Sequence, residues 1–379
     1  MGRSHPRSSR TATARRFSRS IWPGAPRYAS LRAPEALFER LGVGPDEPGL
    51  HIWRAPGRVN LIGEHVDYTG GTVIPFACDL ESVLVAVPLE DEVIVSSLDQ
   101  PGEVRISLEH PGDAAVGWGR YVAGVVEALR EAGLRVRGFR GAIWSSIPAG
   151  SGLSSSAALE AVLALALLNG VAPAAEVLQR AEHLAVGVPC GIMDQVAVLH
   201  GRQGHALAID CAAMTWQTLP LPPVGFVVVD TDTRRRLEDG RYAARRIEAE
   251  DAIAGRDTTD RGERRLRHLR TENDRVRLFL DAITRGDVEA MGDLINATHR
   301  SLRDDFEVSS PRLDRTVEAA RNQTDCLGAR LVGAGFAGFV LALVRAGSEA
   351  DFARQVEERA PGVRARPVVA VDGAGEVAL

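Results

Sequence analysis

The sequence predicts a two-domain α+β protein, on three observations. Its 379 residues are enough for two or three domains with a proper core. Val-rich segments of alternating hydrophobicity, typical of β-strands, occur along the chain together with segments of helical periodicity. Near the middle, Leu219–Pro223 is rich in proline and breaks both kinds of element. We therefore expect a first domain at residues 35–222 and a second at residues 223–379.

The composition disfavours several classes of protein. It is 45% hydrophobic and 25% charged, as in ordinary globular proteins, and no apolar run reaches the ~18 residues that a membrane span needs. The four cysteines are Cys78, Cys190, Cys211 and Cys326. They have no paired spacing, which indicates a reducing compartment and disfavours a zinc site. We therefore expect a cytoplasmic protein that does not act on a membrane.

The basic residues are all arginines, because none of the 45 is lysine. This excludes a Walker A loop, in which a lysine follows the second glycine. Any phosphate chemistry must therefore use backbone amides, arginine and a metal ion.

The first 34 residues differ from the rest of the chain. They hold eight arginines and no acidic residue, and removing these eight charges takes the net charge from −5 to −13. The composition is typical of a transit peptide, and Arg15-Arg16 resembles a twin-arginine signal, but no apolar segment follows. We expect a disordered extension or a misassigned start codon. Nucleic-acid binding through this segment is disfavoured, because the rest of the chain is acidic.

The first predicted strand, His51–Val59, leads into a polar motif at residues 57–68. The motif brings one guanidinium, two carboxylates and one imidazole together around Gly63: Arg58, Glu64, His65 and Asp67. Such a set suits the hydroxyl groups of a polar ligand such as a sugar. From the residues alone a solvated turn is equally compatible, and the spacing His-x-Asp could also indicate a metal site.

Two strands and a helix separate this motif from the next one. The strands are predicted at Phe76–Val87 and Glu92–Ser97, which are rich in valine and alternate. The helix begins at Trp118 and ends near Gly133. A single tryptophan at the start of a helix usually belongs to the core.

A glycine- and serine-rich loop within Ile147–Ala157 is the most informative segment of the chain. Its residues are Gly150, Ser151, Gly152, Leu153, Ser154, Ser155 and Ser156. The two glycines allow a sharp bend and a close approach to a ligand, and the serines begin an apolar helix that continues to Leu168. The N-terminus of a helix presents unpaired N–H groups to an anion. A simple cap would need only one serine, so we favour a phosphate-binding loop.

Two carboxylates after this helix are further candidates. The predicted helix Pro173–Gly187 has proline at its first position and glycine just beyond its end. Glu182 lies in its last turns, where the helix dipole disfavours an anion; a metal or hydrogen-bonding role is therefore an alternative to a solvated side chain. Asp194 precedes an apolar segment, and from the residues alone an N-cap role is favoured.

The second half begins with a predicted strand at Gly225–Asp230 and an exposed, charged helix at Arg234–Glu250, on which Tyr242 is the exception. Three amphipathic helices follow, at residues 264–283, 287–306 and 310–327. The segment Gly333–Gly338 matches G-x-G-x-x-G, but it precedes a predicted strand, Phe339–Val344. A dinucleotide site requires a helix there, so we reject a Rossmann fold. A helix over residues 349–359 and a closing strand complete the chain.

Two of these motifs resemble those of a known enzyme family. Gly57-Arg-Val-Asn-Leu-Ile-Gly-Glu-His-Val-Asp-Tyr68 resembles the galactokinase signature, and Pro148-Ala-Gly-Ser-Gly-Leu-Ser-Ser-Ser-Ala157 resembles the phosphate loop of the GHMP kinases. The resemblance extends from about Trp53 to Val344. It departs from the family pattern at three positions: Val66, where threonine is usual; Thr69, where asparagine is usual; and Ala337, where glycine is usual.

The resemblance implies a fold, an activity and two cofactors. The expected fold has an N-terminal domain like ribosomal protein S5 domain 2 and a ferredoxin-like C-terminal domain, with the site between them. The expected activity is phosphorylation of α-D-galactose at its anomeric hydroxyl, with ATP as donor and Mg²⁺ as the metal.

The resemblance also implies a role for each candidate residue. Asp194 would be the catalytic base, and Arg58 would face the transferred phosphoryl group. The sugar would be held by Glu64, His65, Asp67, Gly191 and Tyr242. Residues 150–156 would hold the phosphates, and Trp118 would border the adenine. Mg²⁺ would be held by Ser156 and Glu182.

Two alternatives remain open at this stage. One is a related GHMP kinase that acts on N-acetylgalactosamine, arabinose or another sugar. The other is a sensor that binds galactose and ATP without catalysis, which the complete serine run and Asp194 disfavour. The expected partners are the sugar and MgATP, with no nucleic acid and no membrane, and the protein is expected to be a monomer.

Overall fold

The computed structural model describes residues 29–112, 116–187, 190–233 and 240–378. Residues 1–28 of the arginine-rich segment lie outside the described residues. The segment does not continue as an extension to residue 34, because helix α1 spans Ala29–Leu41. Leu37 and Leu41 of this helix are buried with Ile52 and Val83 in a small cluster of their own. The boundary expected at residue 34 is therefore wrong, since an apolar pair four residues apart anchors the helix.

Six strands form the first sheet. In spatial order they are β13 (Gly375–Glu376), β1 (His51–Asn60), β3 (Pro75–Leu89), β6 (Gly138–Ser145), β4 (Glu92–Ser97) and β5 (Glu103–Ser107). Neighbouring strands are antiparallel except for β4 and β6, which are parallel. The strands predicted in this region from alternating hydrophobicity are confirmed to within two residues at each end.

Among the described residues of the first half, four helices follow α1. They are α2 (Gly119–Glu131), α3 (Ser155–Leu167), α4 (Ala175–Val186) and α5 (Met193–His200). Helix α3 packs against β1 and β3 and is buried along most of its length, as its uniformly apolar sequence predicts. Helix α4 begins two residues later than expected. Pro173 precedes it, because Ala174 is extended and forms the N-cap.

A small sheet closes the first half. It consists of β2 (Thr72–Val73), β7 (His205–Asp210) and β8 (Thr215–Pro220), in that order. Strand β8 includes Leu219 and Pro220, so the proline-rich segment is a linker only from residue 221 onward. The edge of a sheet tolerates proline, and β8 is such an edge.

The second sheet is antiparallel and belongs to the second half. Its strands, in spatial order, are β10 (Cys326–Leu331), β11 (Phe339–Arg345), β9 (Val224–Asp230) and β12 (Arg364–Val368). The helices of this half are α6 (Arg241–Ile253), α7 (Asp260–Arg285), α8 (Val288–Asp304), α9 (Pro311–Arg321) and α10 (Glu349–Arg359). Residues 234–239, the start of the expected charged helix, lie outside the described residues.

The helix expected over residues 310–327 is too long. Helix α9 ends at Arg321, and β10 begins at Cys326. The strand forms because β10 pairs with β11, a contact distant in sequence. It also lies closely against α8: a Cβ on Gly292 would be 2.3 Å from the carbonyl oxygen of Leu327.

The end of the chain returns to the first sheet. Strand β13 pairs with β1, and the amide of Val371 donates to the carbonyl oxygen of Ala77. One continuous buried cluster joins the two halves, with the rings of Phe76 and Phe226 4.8 Å apart. No helix among the described residues is both long enough and apolar enough to cross a membrane.

Candidate active site

A cavity lies where the two halves of the chain meet. Most of the residues predicted for the site line it: Arg58, Glu64, His65, Asp67, Gly150, Gly152, Ser154, Ser155, Ser156, Glu182, Gly191, Asp194 and Tyr242. Gly333 and Ala334, from the glycine turn of the second half, complete one wall. Trp118, Ser151 and Leu153 are not among the described residues that line it. The fold thus brings together motifs that are far apart in the sequence.

The serines of the glycine-rich loop are not used to cap the helix behind them. Helix α3 begins at Ser155, and Ser154 is its N-cap in the left-handed region, with φ 63° and no side-chain cap bond. The hydroxyl oxygen of Ser154 is buried without a hydrogen-bond partner. Polar groups with no protein partner at a helix N-terminus fit an anionic ligand. The prediction of more than a simple serine cap agrees with this geometry.

The loop lies directly on the glycine turn of the second half. A Cβ on Gly152 would be 3.1 Å from the carbonyl oxygen of Val332, and one on Gly338 would be 2.5 Å from that of Ser151. Ser151 and Leu153 are buried beneath the loop. The glycines are therefore needed for backbone-to-backbone packing between the halves as well as for the bend itself.

Asp194 does not cap a helix. The N-cap of α5 is Ile192, and Asp194 lies in the first turn. Its Oδ1 accepts a hydrogen bond from Nε of Arg58 at 2.9 Å and forms an ion pair with the same guanidinium, 2.8 Å from Nη2. Arg58 is 4% exposed and also donates to the carbonyl oxygen of Gly152 in the phosphate loop. Burial lowers the pKa of Arg58, but the carboxylates of Asp194, Glu64 and Asp67 outweigh it, so the net pKa is raised.

Ser156 and Glu182 meet although they are 26 residues apart. The Ser156 hydroxyl donates to Oε1 of Glu182 at 2.8 Å, and Nε2 of Gln195 donates to Oε2 at 2.6 Å. Burial raises the pKa of Glu182, and nearby Asp194 adds to this effect. A hydroxyl and a half-buried carboxylate are the hard oxygen ligands that Mg²⁺ prefers, so these residues fit the ion. Among the described residues no group of three or more His, Cys, Asp and Glu side chains could hold a metal.

The polar motif at residues 57–68 lines another part of the cavity. Burial, together with the nearby carboxylates of Asp194 and Glu64, raises the pKa of Asp67 to about 7, although Arg58 opposes the rise. The imidazole of His65 contacts the Tyr68 hydroxyl through Nδ1 at 3.0 Å and the carbonyl oxygen of Ala334 through Nε2 at 3.3 Å. Since a carbonyl only accepts, Nε2 carries the proton in that bond.

The Glu64 side chain lines the cavity but also forms hydrogen bonds with residues of the second half of the chain. Its Oε1 accepts from Nη1 of Arg330 at 2.9 Å and from the amide of Gly333 at 2.8 Å. Glu64 and Arg330 are 3% and 0% exposed. This carboxylate therefore joins the motif to the second half, a role that the sequence did not indicate.

Gly191 and Tyr242 complete the wall around Asp67. A Cβ on Gly191 would be 1.7 Å from Oδ2 of Asp67, so only glycine fits there. The ring of Tyr242 lies 5.8 Å from that of His65 and 6.1 Å from that of Tyr68, in an edge arrangement with the latter.

Two departures from the family pattern lie away from the cavity lining. Val66 is fully buried and packs against Gly71, where a Cβ would be 2.6 Å from that of Val66. The hydroxyl of Thr69 donates to the carbonyl oxygen of Val66 at 3.0 Å. Both side chains thus stabilise the turn of the motif from inside.

Sequence reasoning missed several residues of the cavity. Tyr121, Cys190 and Arg241 line it. Tyr121 lies one helical turn after Trp118, the N-cap of α2, so the same helix start reaches the cavity through its tyrosine. Cys190 donates to Oε2 of Glu182 at 3.4 Å, and its position between Pro189 and Gly191 could have marked it.

Models of known families match three segments of the chain. The galactokinase galactose-binding signature matches residues 37–88, the GHMP kinases N terminal domain matches residues 120–202, and the GHMP kinases C terminal domain matches residues 279–362. These segments contain the polar motif, the glycine–serine loop and the glycine turn.

Similar curated proteins are galactokinases. The galactokinase of Homo sapiens is 37% identical over 377 residues, covering 89% of this chain and 94% of that protein. The galactokinase of Chloroflexus aggregans is 39% identical over 375 residues, covering 90% and 95%.

Similar solved structures include a galactokinase. The Lactococcus lactis galactokinase complexed with galactose superposes with a TM-score of 0.83 at 30% identity, covering 93% of this chain and 100% of that chain. The Methanococcus jannaschii mevalonate kinase has a TM-score of 0.67 at 20% identity, covering 86% and 100%. The second likeness shows the fold alone.

Proposed function

The chain belongs to the galactokinases of the GHMP kinase family, and on this premise we propose that it transfers the terminal phosphoryl group of ATP to the anomeric hydroxyl of α-D-galactose. The product would be galactose 1-phosphate. The two-domain GHMP kinase fold that the sequence predicts is confirmed. The role of each residue below is part of the proposal.

One observation carries the proposal. The ion pair of Asp194 with Arg58 joins the polar motif to α5, Arg58 also bonds to the glycine–serine loop at Gly152, and all three segments line one cavity. A hydroxyl held by the polar motif and a phosphate held by the loop would therefore meet at Asp194. Phosphoryl transfer depends mainly on such positioning and on charge stabilisation.

The chemistry assigns one step to Asp194 and one to Arg58. Asp194 accepts the proton of the anomeric hydroxyl as its oxygen forms a bond to the γ-phosphorus. The bond between that phosphorus and the β–γ bridging oxygen breaks, and ADP leaves with the electron pair. Arg58 holds the Asp194 carboxylate in place, and its fixed charge stabilises negative charge on the transferred group.

The donor is assigned to the other side of the cavity. Backbone amides of residues 150–156 and the free Ser154 hydroxyl would hold the phosphates at the N-terminus of α3. Ser156 and Glu182 would hold Mg²⁺, which when bound supplies positive charge for the phosphate oxygens. Trp118 would border the adenine, with Tyr121 beside it.

The sugar is assigned to the wall that contains the polar motif. Carboxylates and an imidazole are acceptors and donors for hydroxyl groups, and a phenol ring adds an apolar face. The residues are Glu64, His65, Asp67, Gly191 and Tyr242. Gly191 would act in two ways, through its backbone towards the sugar and by leaving room for Asp67.

A coupled assay of ADP release tests the function. We expect turnover with ATP, Mg²⁺ and galactose, and at least tenfold lower kcat/KM with N-acetylgalactosamine or arabinose. A faster reaction with either of those sugars would assign the chain to a related sugar kinase. Binding of galactose and ATP without ADP release would assign it to a sensor.

A further inference from the structure

The backbone of the polar motif is held from behind by the second half of the chain. Glu272, on α7, is 0% exposed and does not line the cavity. Its Oε1 accepts from the amide of Gly63 at 2.8 Å and from the amide of Glu64 at 3.2 Å. One buried carboxylate oxygen thus holds two consecutive amides of the motif, more than 200 residues away in sequence.

The other oxygen of Glu272 is fixed as well. Oε2 accepts from Nε of Arg275 at 2.8 Å and from the hydroxyl of Thr298 at 2.9 Å. Burial raises the pKa of Glu272, but the guanidinium of Arg275 is the largest of the opposing influences, and the net pKa lies below its usual value. The Glu272 side chain is therefore ionised, and the hydrogen bonds to its two oxygens hold it in one position.

The rest of the Glu64 peptide is held by the same half. Nε2 of His268, one turn before Glu272 on α7, contacts the carbonyl oxygen of Glu64 at 3.1 Å. Arg330 donates from Nε to the carbonyl oxygen of Leu61 at 2.9 Å. These contacts fix the carbonyl group of Glu64 and that of Leu61, three residues before it.

The motif needs external bonds because its backbone is locally unfavourable. Gly63 has φ 94° and His65 has φ 63°, so both residues that flank Glu64 lie in the left-handed region. A histidine there is uncommon and is maintained only where its surroundings determine it. The amides of Gly63 and Glu64 point to Glu272, and not to a strand or helix partner.

We propose that Glu272 is a positioning residue for the sugar: by binding the amides of Gly63 and Glu64, it sets where His65 and Asp67 stand in the cavity. The proposal rests on the proposed function, because these two residues are assigned to the sugar there. Glu272 reaches neither the phosphate loop nor Asp194 by any hydrogen bond among the described residues. Its loss should therefore weaken sugar binding and leave ATP binding nearly unchanged.

Glu272→Gln is the first test variant. The amide has nearly the volume of the acid but only one acceptor oxygen. The charged Arg275 competes best for that oxygen, since charge-assisted bonds are about twice as strong as neutral ones. The NH₂ group would then face the two amides of the motif. Glu272→Met is a second variant, which removes both acceptors with little change of length.

The matched control is Thr298→Val. It removes a bond to the same carboxylate, on the Oε2 side, and leaves the Oε1 bonds to the motif in place. Thr298 is itself 0% exposed, so the control also reports the cost of disturbing this part of the core.

The measurements are the KM values for galactose and ATP, and amide hydrogen exchange over residues 61–69. For either Glu272 variant we expect the galactose KM to rise about tenfold or more, with the ATP KM within about twofold. The amides of Gly63 and Glu64 should exchange slowly in the wild type and faster in the variants. Thr298→Val should retain the wild-type galactose KM and the slow exchange.

Three outcomes would overturn the proposal: equal changes of both KM values, an unchanged galactose KM in a folded variant, or fast exchange of both amides in the wild type. If one variant does not fold, the other decides, and the wild-type exchange decides if neither folds. A wild type without activity on galactose would refute the proposed function instead. Hydrogen exchange would still test the Glu272 contact in that case.

Discussion

Gly191→Ala offers a sharp test of the sugar wall, because the structure shows what the added methyl group would meet. Its carbon would lie 1.7 Å from Oδ2 of Asp67 and 2.2 Å from Cγ. Carbon and oxygen in van der Waals contact stand more than 3 Å apart, so the carboxylate must move by over an ångström. Gly191 is not among the glycines of positive φ, and alanine adds no backbone strain there.

The expected effect is on galactose. A displaced Asp67 would lose one or two hydrogen bonds that involve a charged acceptor, each worth about 1.5–3 kcal/mol. One such loss corresponds to a rise of roughly 10–150-fold in the galactose KM, while the ATP KM should change by less than about threefold. Steady-state kinetics with each substrate varied in turn would measure both values.

The control for this variant is Gly44→Ala. An added Cβ at Gly44 meets nothing within 4 Å, and Gly44 also lacks a positive φ. It should behave like the wild type in kinetics and in a thermal melt. A Gly191→Ala protein that folds and keeps the wild-type galactose KM would refute the placement of Asp67 against the sugar.

Three further predictions concern the pH response, the metal and the first helix. Since burial raises the pKa of Asp67 to about 7, lowering the pH through 7 should protonate this carboxylate and raise the galactose KM. Asp67→Asn should make the galactose KM nearly independent of pH in this range. An equally steep dependence in the variant would contradict the assignment of Asp67 to the sugar. Glu182→Gln should raise the free Mg²⁺ needed for half-maximal activity by about tenfold or more, with galactose KM nearly constant, and an unchanged Mg²⁺ titration would exclude Glu182 as a ligand. Leu37→Ala should lower the free energy of unfolding by about 2–5 kcal/mol without changing kcat, because Leu37 is fully buried in the cluster between α1 and the first sheet. A chemical denaturation curve like that of the wild type would show that α1 does not pack there.

Local patterns predicted most of the elements. The strands of the first sheet alternate in hydrophobicity, and α3 is apolar on every side, so the period of the sequence determines both. The serine-rich start of α3 was also predicted as more than a helix cap, because a cap needs only one hydroxyl and three are present.

Elements that depend on distant partners were not predicted. The first two residues of strand β10, Cys326 and Leu327, were predicted as the end of a helix, since only the pairing with β11 makes this segment a strand. The first turns of α1, up to residue 34, were predicted as part of a disordered extension, since only the buried cluster around Ile52 shows where this helix packs. Such outcomes follow when tertiary contacts override local propensity.

The site shows the same division. The glycine- and serine-rich loop was predicted from its composition. The pairing of Ser156 with Glu182 was predicted only from the resemblance to the GHMP kinases. Glu272 and Arg330 were not predicted as site residues, because each is one charged residue in a charged or apolar segment and no pattern assigns it a role. Their importance lies in the backbone atoms they reach across the two halves.

The most direct test of the central claim is turnover by Asp194→Asn. Asparagine keeps an acceptor for Arg58, so the variant should fold, with a melting temperature within ~5 °C of the wild type. It cannot accept a proton, so kcat should fall roughly 10²–10⁴-fold, which is about 3–5.5 kcal/mol of barrier. Galactose and ATP should still bind, because the polar motif and the serine loop are unchanged. A folded Asp194→Asn protein that retains more than about a tenth of wild-type turnover would contradict the assignment of Asp194 as the base.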